Sequence, residues 1–172
     1  MIFRGAKIEI GPIDRQDQSL LFGWVNDVEA ARFDLAFRPM HWQAFSHWMT
    51  VAGNDPANVH FAIRGAATGS TLGYMFLKGV NTVHRSAEVG IRIGREVDRG
   101  KGFGREAMQL ALLYAWQVLN LRRVWLMTMA ANERALRSFS AAGFQQEAVL
   151  RKALYLSGRW NDEVIMSVLR PL

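Results

Sequence analysis

Cysteine occurs nowhere in the 172 residues, so a disulfide framework, a thiolate metal site and a cysteinyl acyl-enzyme are all excluded. No apolar run approaches the ~20 residues of a membrane span. The opening MIFRGAKIEI has no hydrophobic stretch of signal-peptide length. A soluble, unexported protein with no membrane partner is therefore expected, and a reducing cytoplasm suits the lack of cysteine. The four histidines, His41, His47, His60 and His84, lack a metal-ligand spacing such as HExxH, and no metal is expected. Acidic residues are the minority, 15 against 21 Lys plus Arg, and the net charge of +6 favours an anionic partner such as phosphate or nucleotide. No dense basic run or nucleic-acid motif accompanies that charge, so nucleic acid is not an expected partner. Repeats, low-complexity tracts and linkers are missing too.

What is present is globular composition: 50% hydrophobic residues against 21% charged. The length suits one domain over residues 1–172. Residues 59–63 (VHFAI) and 71–77 (TLGYMFL) alternate like strands around the turn sequence GAATGS, and 87–93 (AEVGIRI) extends them to a three-strand meander. From 102 to 119, Phe103, Ala107, Leu110, Ala111, Tyr114 and Val118 recur at helical spacing. Residues 124–129 (VWLMTM) read as a strand, and Asn132 as the N-cap of a helix that stops at Gly143. The tail predicts a strand over 144–150, another segment near 152–156, a turn at SGRWND and a last strand over 163–169. Upstream, 8–10 reads as a strand, with short helices over 18–25 and 41–51. Helices packed on a mixed sheet in one α/β (α+β) layer structure follow from this order.

One stretch invites chemistry. RGKGFGREAM, residues 99–108, places Gly100, Gly102 and Gly104 at alternate positions between a strand and a helix. Unpaired amides and the positive end of the helix dipole converge there, and glycine lets an anion approach the backbone. Arg99, Lys101 and Arg105 add attraction. The dinucleotide fingerprint is excluded by context, since GREVDR rather than a strand precedes the loop and no Asp or Glu lies between Glu106 and Glu133. A Walker A loop is absent. A plain connecting turn is the remaining alternative.

RGKGFG resembles the (R/Q)xxGx(G/A) pyrophosphate loop of the GNAT superfamily of acetyl-CoA-dependent N-acetyltransferases. NERALRSFSAAGF, residues 132–144, is similar to that family's NxxAxxxYxxxGF segment. The ending EAVLRKALYLSGRWNDEVIMSVL, with the early WVND, looks like the RimJ/RimL-like branch. The resemblance implies a mixed, largely antiparallel central sheet flanked by helices, and acetyl-CoA as cosubstrate. It also implies that the amides of Arg99, Gly100, Lys101, Gly102, Phe103 and Gly104 hold the CoA pyrophosphate. Ile91 and Ile93 would offer backbone groups to the pantetheine arm as an added strand. Asn132 would touch the same arm, or simply cap its helix. Glu88 matches the glutamate of "AEIG" and is the candidate general base; alternatively it is solvated or paired with a cation. The family's tyrosine acid is replaced by Phe139, leaving water or Ser138 to serve the leaving thiolate. His84 is an alternative base.

The acceptor is an amine in this reading: a protein or peptide N-terminal amine or a small amine, or alternatively a nucleotide-linked aminosugar. An α-amino group, with pKa near ~7.8, needs less help from a base than lysine, near ~10.4. By the same resemblance the aromatic segment 33–49 lies where the family builds its acceptor pocket; Trp24, Trp42 and Arg38 are the foremost candidates, with Phe37, Trp48, Arg32 and Arg85 as further ones. Large apolar residues are also buried by default. A homodimer is a possible assembly. The rival from another class is a catalytically silent acyl-CoA-binding module, which Phe139 favours.

Overall fold

Residues 2–29 and 37–171 are described by a computed structural model. Period-two alternation builds eight strands: β1 (Phe3–Arg4), β2 (Ile8–Gly11), β3 (Val59–Gly65), β4 (Thr71–Asn81), β5 (Ser86–Ile93), β6 (Arg123–Met129), β7 (Gln145–Leu156) and β8 (Arg159–Leu169). They form one sheet in the order β1-β2-β3-β4-β5-β6-β8-β7, antiparallel throughout except between β5 and β6. Among the described residues, four α-helices flank it: α1 (Asp17–Val25), α2 (Trp42–Asn54), α3 (Phe103–Gln117) and α4 (Glu133–Ala141). The expected α/β class and mixed, mainly antiparallel sheet are what the chain adopts.

Alternation sorts side chains between the two faces. Met75, Leu77, Ala87, Val89, Leu126, Val164 and Met166 enter the main core, where α3 adds Ala107, Met108, Leu110, Ala111, Leu112 and Ala115. Each large side chain buried this way contributes about 1.5–3 kcal/mol. The next residues along each strand therefore face the other way, toward α1 and α2. There Leu21, Trp24 and Phe45 make a second, smaller core, with Tyr74 of β4 packed on it. Asp17 is the polar pin of that side. Buried on α1, it accepts hydrogen bonds from Arg64, from Thr71 Oγ1 at 2.7 Å and from the Asp14 amide at 2.8 Å.

The tail differs from its sequence reading. Residues 145–156 are one strand rather than two segments, because a bulge between Leu150 and Leu154 absorbs the break. Lys152 takes φ +51° there, and its amide donates to Asp162 Oδ1 at 2.8 Å. The turn is only Ser157 and Gly158, both at positive φ, as two-residue hairpins favour. Arg159–Asp162 thereby join β8. β1 is an unforeseen addition at the sheet edge.

β5 and β6 decide the rest. Their parallel pairing covers only Ser86 with Arg123, Ala87 with Val124 and Glu88 with Trp125. Beyond Glu88 they separate, although β5 stays paired to β4 as far as Ile93 and β6 to β8 as far as Met129. Each strand thus turns one ladder edge into an open gap, and those backbone groups need partners.

Candidate active site

The gap widens into a cleft of about 910 Å³ lined by Val89–Ile93 of β5, Leu126–Thr128 of β6, the 98–105 loop and the inner side of α4. Its β5 wall has a defined polarity. The Gly94 amide donates to the Leu72 carbonyl at 2.9 Å, on the β4 side. Backbone groups alternate along a strand, so those of Ile93 and Ile91 point into the gap. The Ile93 carbonyl is already taken by Arg99 Nε at 3.1 Å, while Arg99 Nη2 reaches the Gly94 carbonyl at 3.0 Å. Arg99 therefore fastens the loop to the end of β5 by its side chain, a role beyond the attraction expected of it.

The loop is a built turn. Asp98 is buried and accepts from Arg95 Nε at 2.7 Å, with Lys101 Nζ at 3.8 Å. Gly100 and Gly102 take φ +77° and +87°, conformations that other residues rarely adopt. Gly102 is also the N-cap of α3, with no side chain capping that end, so the first-turn amides stay available. Gly104 has ordinary room: a Cβ there would lie 3.8 Å from Ile93 Cγ1 and Ser138 Oγ. The protein itself does not demand glycine at 104, whereas a phosphate approaching the backbone would. Glu106, the acid of that first turn, is turned away and accepts from the amides of Ala6 and Lys7. Cations crowd the same end: Lys7, Arg99, Lys101, Arg105, Arg134 and Arg137 all line the cleft. Burial, and then the like charge of Arg134, pull the Arg99 guanidinium below its ordinary pKa. An anion bound there would relieve that repulsion.

α4 supplies the opposite wall. Asn132 lines the cleft and caps α4, accepting from the Ala135 amide at 3.3 Å, so capping and a contact with a bound ligand are compatible. Phe139 lines the cleft with Ser138, and its ring packs 6.2 Å from that of Phe144. On the sheet face toward α1 and α2, Glu88 forms a 3.0 Å ion pair with Lys78 across β4. The alternative reading of Glu88, a paired carboxylate, is thus realised without removing it from the cleft. Tyr74, Phe76, Arg92 and Glu163 share this face, although no sequence motif marks them.

The acceptor candidates are not gathered at the cleft. Trp24 is buried in the second core, its ring filling the space over Gly94. Trp42 is half exposed on α2, edge-on to Phe22 at 5.2 Å, and Arg38 is exposed. Trp48 stands edge-on to His60 at 6.1 Å. Arg85 is bound to Asn120, at 2.8 Å to its carbonyl and 2.7 Å to Oδ1, which removes it from any substrate contact here. His84 is exposed in the β4–β5 turn, its amide on Asn81 Oδ1, outside the cleft lining. Arg32 and the 33–36 part of the aromatic segment lie outside the described residues. Among the described residues no group of three or more His, Asp or Glu is arranged to hold a metal ion, and no helix is long and apolar enough to cross a membrane.

Parallel strands that part midway, a glycine turn into a helix at the mouth of the gap, and an asparagine-capped helix opposite form one arrangement. The profile of the acetyltransferase (GNAT) domain matches residues 7–145. The chain belongs to the GNAT acetyltransferase family. Its class is that of an acetyl-CoA-dependent N-acetyltransferase, with acetyl-CoA as cosubstrate. The spermidine N(1)-acetyltransferase of Vibrio cholerae is 32% identical over 117 residues, 68% of this chain and 66% of that relative's length. Its Escherichia coli counterpart is 26% identical over 94% of this chain and 85% of its own. The structure of the Vibrio cholerae enzyme in complex with CoA and spermine superposes with a TM-score of 0.87 at 25% identity, covering 94% of this chain and 95% of that one. A ribosomal acetyltransferase is met more distantly: the Escherichia coli ribosomal protein uS5 alanine N-acetyltransferase is 28% identical over 48% of this chain and 42% of its own.

Proposed function

We propose that this GNAT-family chain acetylates a primary amine of a small polyamine, by direct attack on acetyl-CoA in a ternary complex. The supporting observation is the gap itself, which opens to both faces of the sheet. The cationic glycine turn and α4 attend one side, where a CoA pyrophosphate and pantetheine arm would lie along β5. Glu88 and Glu163 attend the other, where a cationic amine would enter. The spermidine-acetylating relatives supply the substrate class.

In this reading the neutral amine attacks the thioester carbonyl carbon. The new C–N bond forms, the C–S bond breaks, and its electron pair leaves on sulfur. A backbone amide of β5 near Ile91 polarises the carbonyl oxygen, a kind of contribution on the order of 3 kcal/mol. Glu88 takes the amine proton, directly or through water. Phe139 has no proton to give, but a thiol of pKa ~8.5 leaves as thiolate without great penalty near neutral pH. Ser138 carries the hydroxyl on the same wall.

A second acceptor class, the N-terminal amine of a protein, is favoured by the RimJ/RimL-like tail. Free-thiol release from acetyl-CoA, measured over a panel of a polyamine, a monoamine, an aminosugar and an alanine-ended peptide, separates them. The polyamine should give the highest kcat/KM. Cofactor binding with no thiol release on any acceptor would instead identify a silent acyl-CoA-binding module, and a preference for the peptide would identify the second class.

A further inference from the structure

We infer that Glu163 is a specificity-determining residue, the carboxylate that holds the second ammonium of a diamine while the first is acetylated. The inference rests on the polyamine reading and names the group that would enforce it.

The placement of Glu163 comes from strand register. It opposes Met129 in the β6–β8 ladder, and Val164 and Met166 beside it enter the main core. Alternation puts Glu163 on the other face, the one that carries Glu88, and both carboxylates line the same cleft. One strand, β6, lies between them: Glu88 stands on β5 at the gap, Glu163 on β8 beyond β6. An acceptor reaching the gap from the α1 and α2 side passes between them.

The two acids are not equivalent. Glu88 is engaged by Lys78 at 3.0 Å. Among the described residues, no hydrogen bond or ion pair engages the Glu163 carboxylate. Burial, and then the negative charge of Glu88, raise its pKa above the ordinary carboxylate value. A half-buried acid without a partner, facing a second acid, is held at a cost to the fold. A cation arriving between them removes that cost, as a protonated amine would. The other cations of this face are occupied, Lys78 by Glu88 and Arg92 by the Trp24 carbonyl at 2.8 Å. A monoamine brings one nitrogen, which must lose its proton to react, and has nothing left for Glu163. A diamine keeps a second, charged nitrogen for it.

The test compares the full chain with Glu163→Gln, an isosteric neutral variant. Steady-state thiol release is followed with 1,4-diaminobutane and with butylamine at saturating acetyl-CoA. The variant should raise the diamine KM by at least about tenfold more than the butylamine KM, while leaving the acetyl-CoA KM within about twofold. Removing an uncompensated charge should also leave the variant's Tm at neutral pH equal to or above the wild-type value, which excludes misfolding as the cause. Glu163→Asp should recover part of the diamine preference. Wild-type activity on both amines with an unchanged diamine-to-monoamine ratio in Glu163→Gln would overturn the role of Glu163 alone. Wild-type protein that binds acetyl-CoA but neither turns over nor calorimetrically binds either amine would overturn the polyamine reading and this inference with it.

Discussion

Glycine 104 separates what the fold needs from what a ligand needs. Its missing Cβ has space, with the nearest atoms at 3.8 Å, and it lies in the first turn of α3. Alanine loses less backbone freedom than glycine on entering a helix, by roughly 0.5–1 kcal/mol. Gly104→Ala should therefore keep or raise Tm while its methyl group weakens acetyl-CoA binding severalfold, measured by calorimetry; unchanged affinity would remove residue 104 from the pyrophosphate contact. Gly102 behaves differently because its φ is +87°. Valine there should both lower stability by about 1–3 kcal/mol and raise the CoA dissociation constant sharply. The contrast between two glycines of one motif was not visible in the string RGKGFG, since spacing carries no φ. Phe139 was legible as a departure, and the structure adds that its ring is wall and core together, packed on Phe144.

At the scale of elements, strong periodicity was read correctly: β3 to β6, α3 and α4 stand where alternation and helical spacing put them. The tail was misread because a bulge at Lys152 breaks the alternation without ending the strand, and because SGRWND holds more turn-forming residues than the hairpin uses. Glu163 reads as the start of the last strand, but its place beside the cleft follows from the β6–β8 register, which the local sequence does not carry. The acceptor aromatics rest on the family resemblance alone, and packing against Leu21 and Phe45 claims Trp24 for the core. The gap between β5 and β6 has no local signal at all, since it arises from which neighbours each strand keeps. What positions α1 is Asp17, whose partners come from β3, β4 and its own loop. Asp17→Ala leaves Arg64 without its buried partner and should cost about 3–5 kcal/mol in urea unfolding; a loss under 1 kcal/mol would show that Asp14 at 3.2 Å replaces it.

Over the whole molecule, charge is distributed by task rather than evenly. Six of the chain's basic side chains line the cleft around the glycine turn, while the β6, β8 and β7 end holds a tied network. There Arg123 and Ser167 both donate to Glu147, Ser167 Oγ at 2.6 Å, and hold its carboxyl at about 2 against an ordinary 4.5. Because the folded value is depressed, this contribution to stability is full above about 4.5 and disappears as pH falls toward about 2. The Tm difference between wild type and Glu147→Gln should accordingly be constant from pH 7 down to about 5 and shrink to nothing near pH 2. A difference independent of pH would assign the variant's effect to packing.

The central claim is that the parted strands β5 and β6, with the glycine turn, form the seat of acetyl-CoA. A crystal structure of the protein grown with CoA measures this most directly. It should show the diphosphate against the amides of residues 99–104 and the pantetheine arm hydrogen-bonded to the gap edge of β5 at Ile91. CoA bound elsewhere, with the gap between Ile91 and Met127 closed or filled by protein, would contradict it.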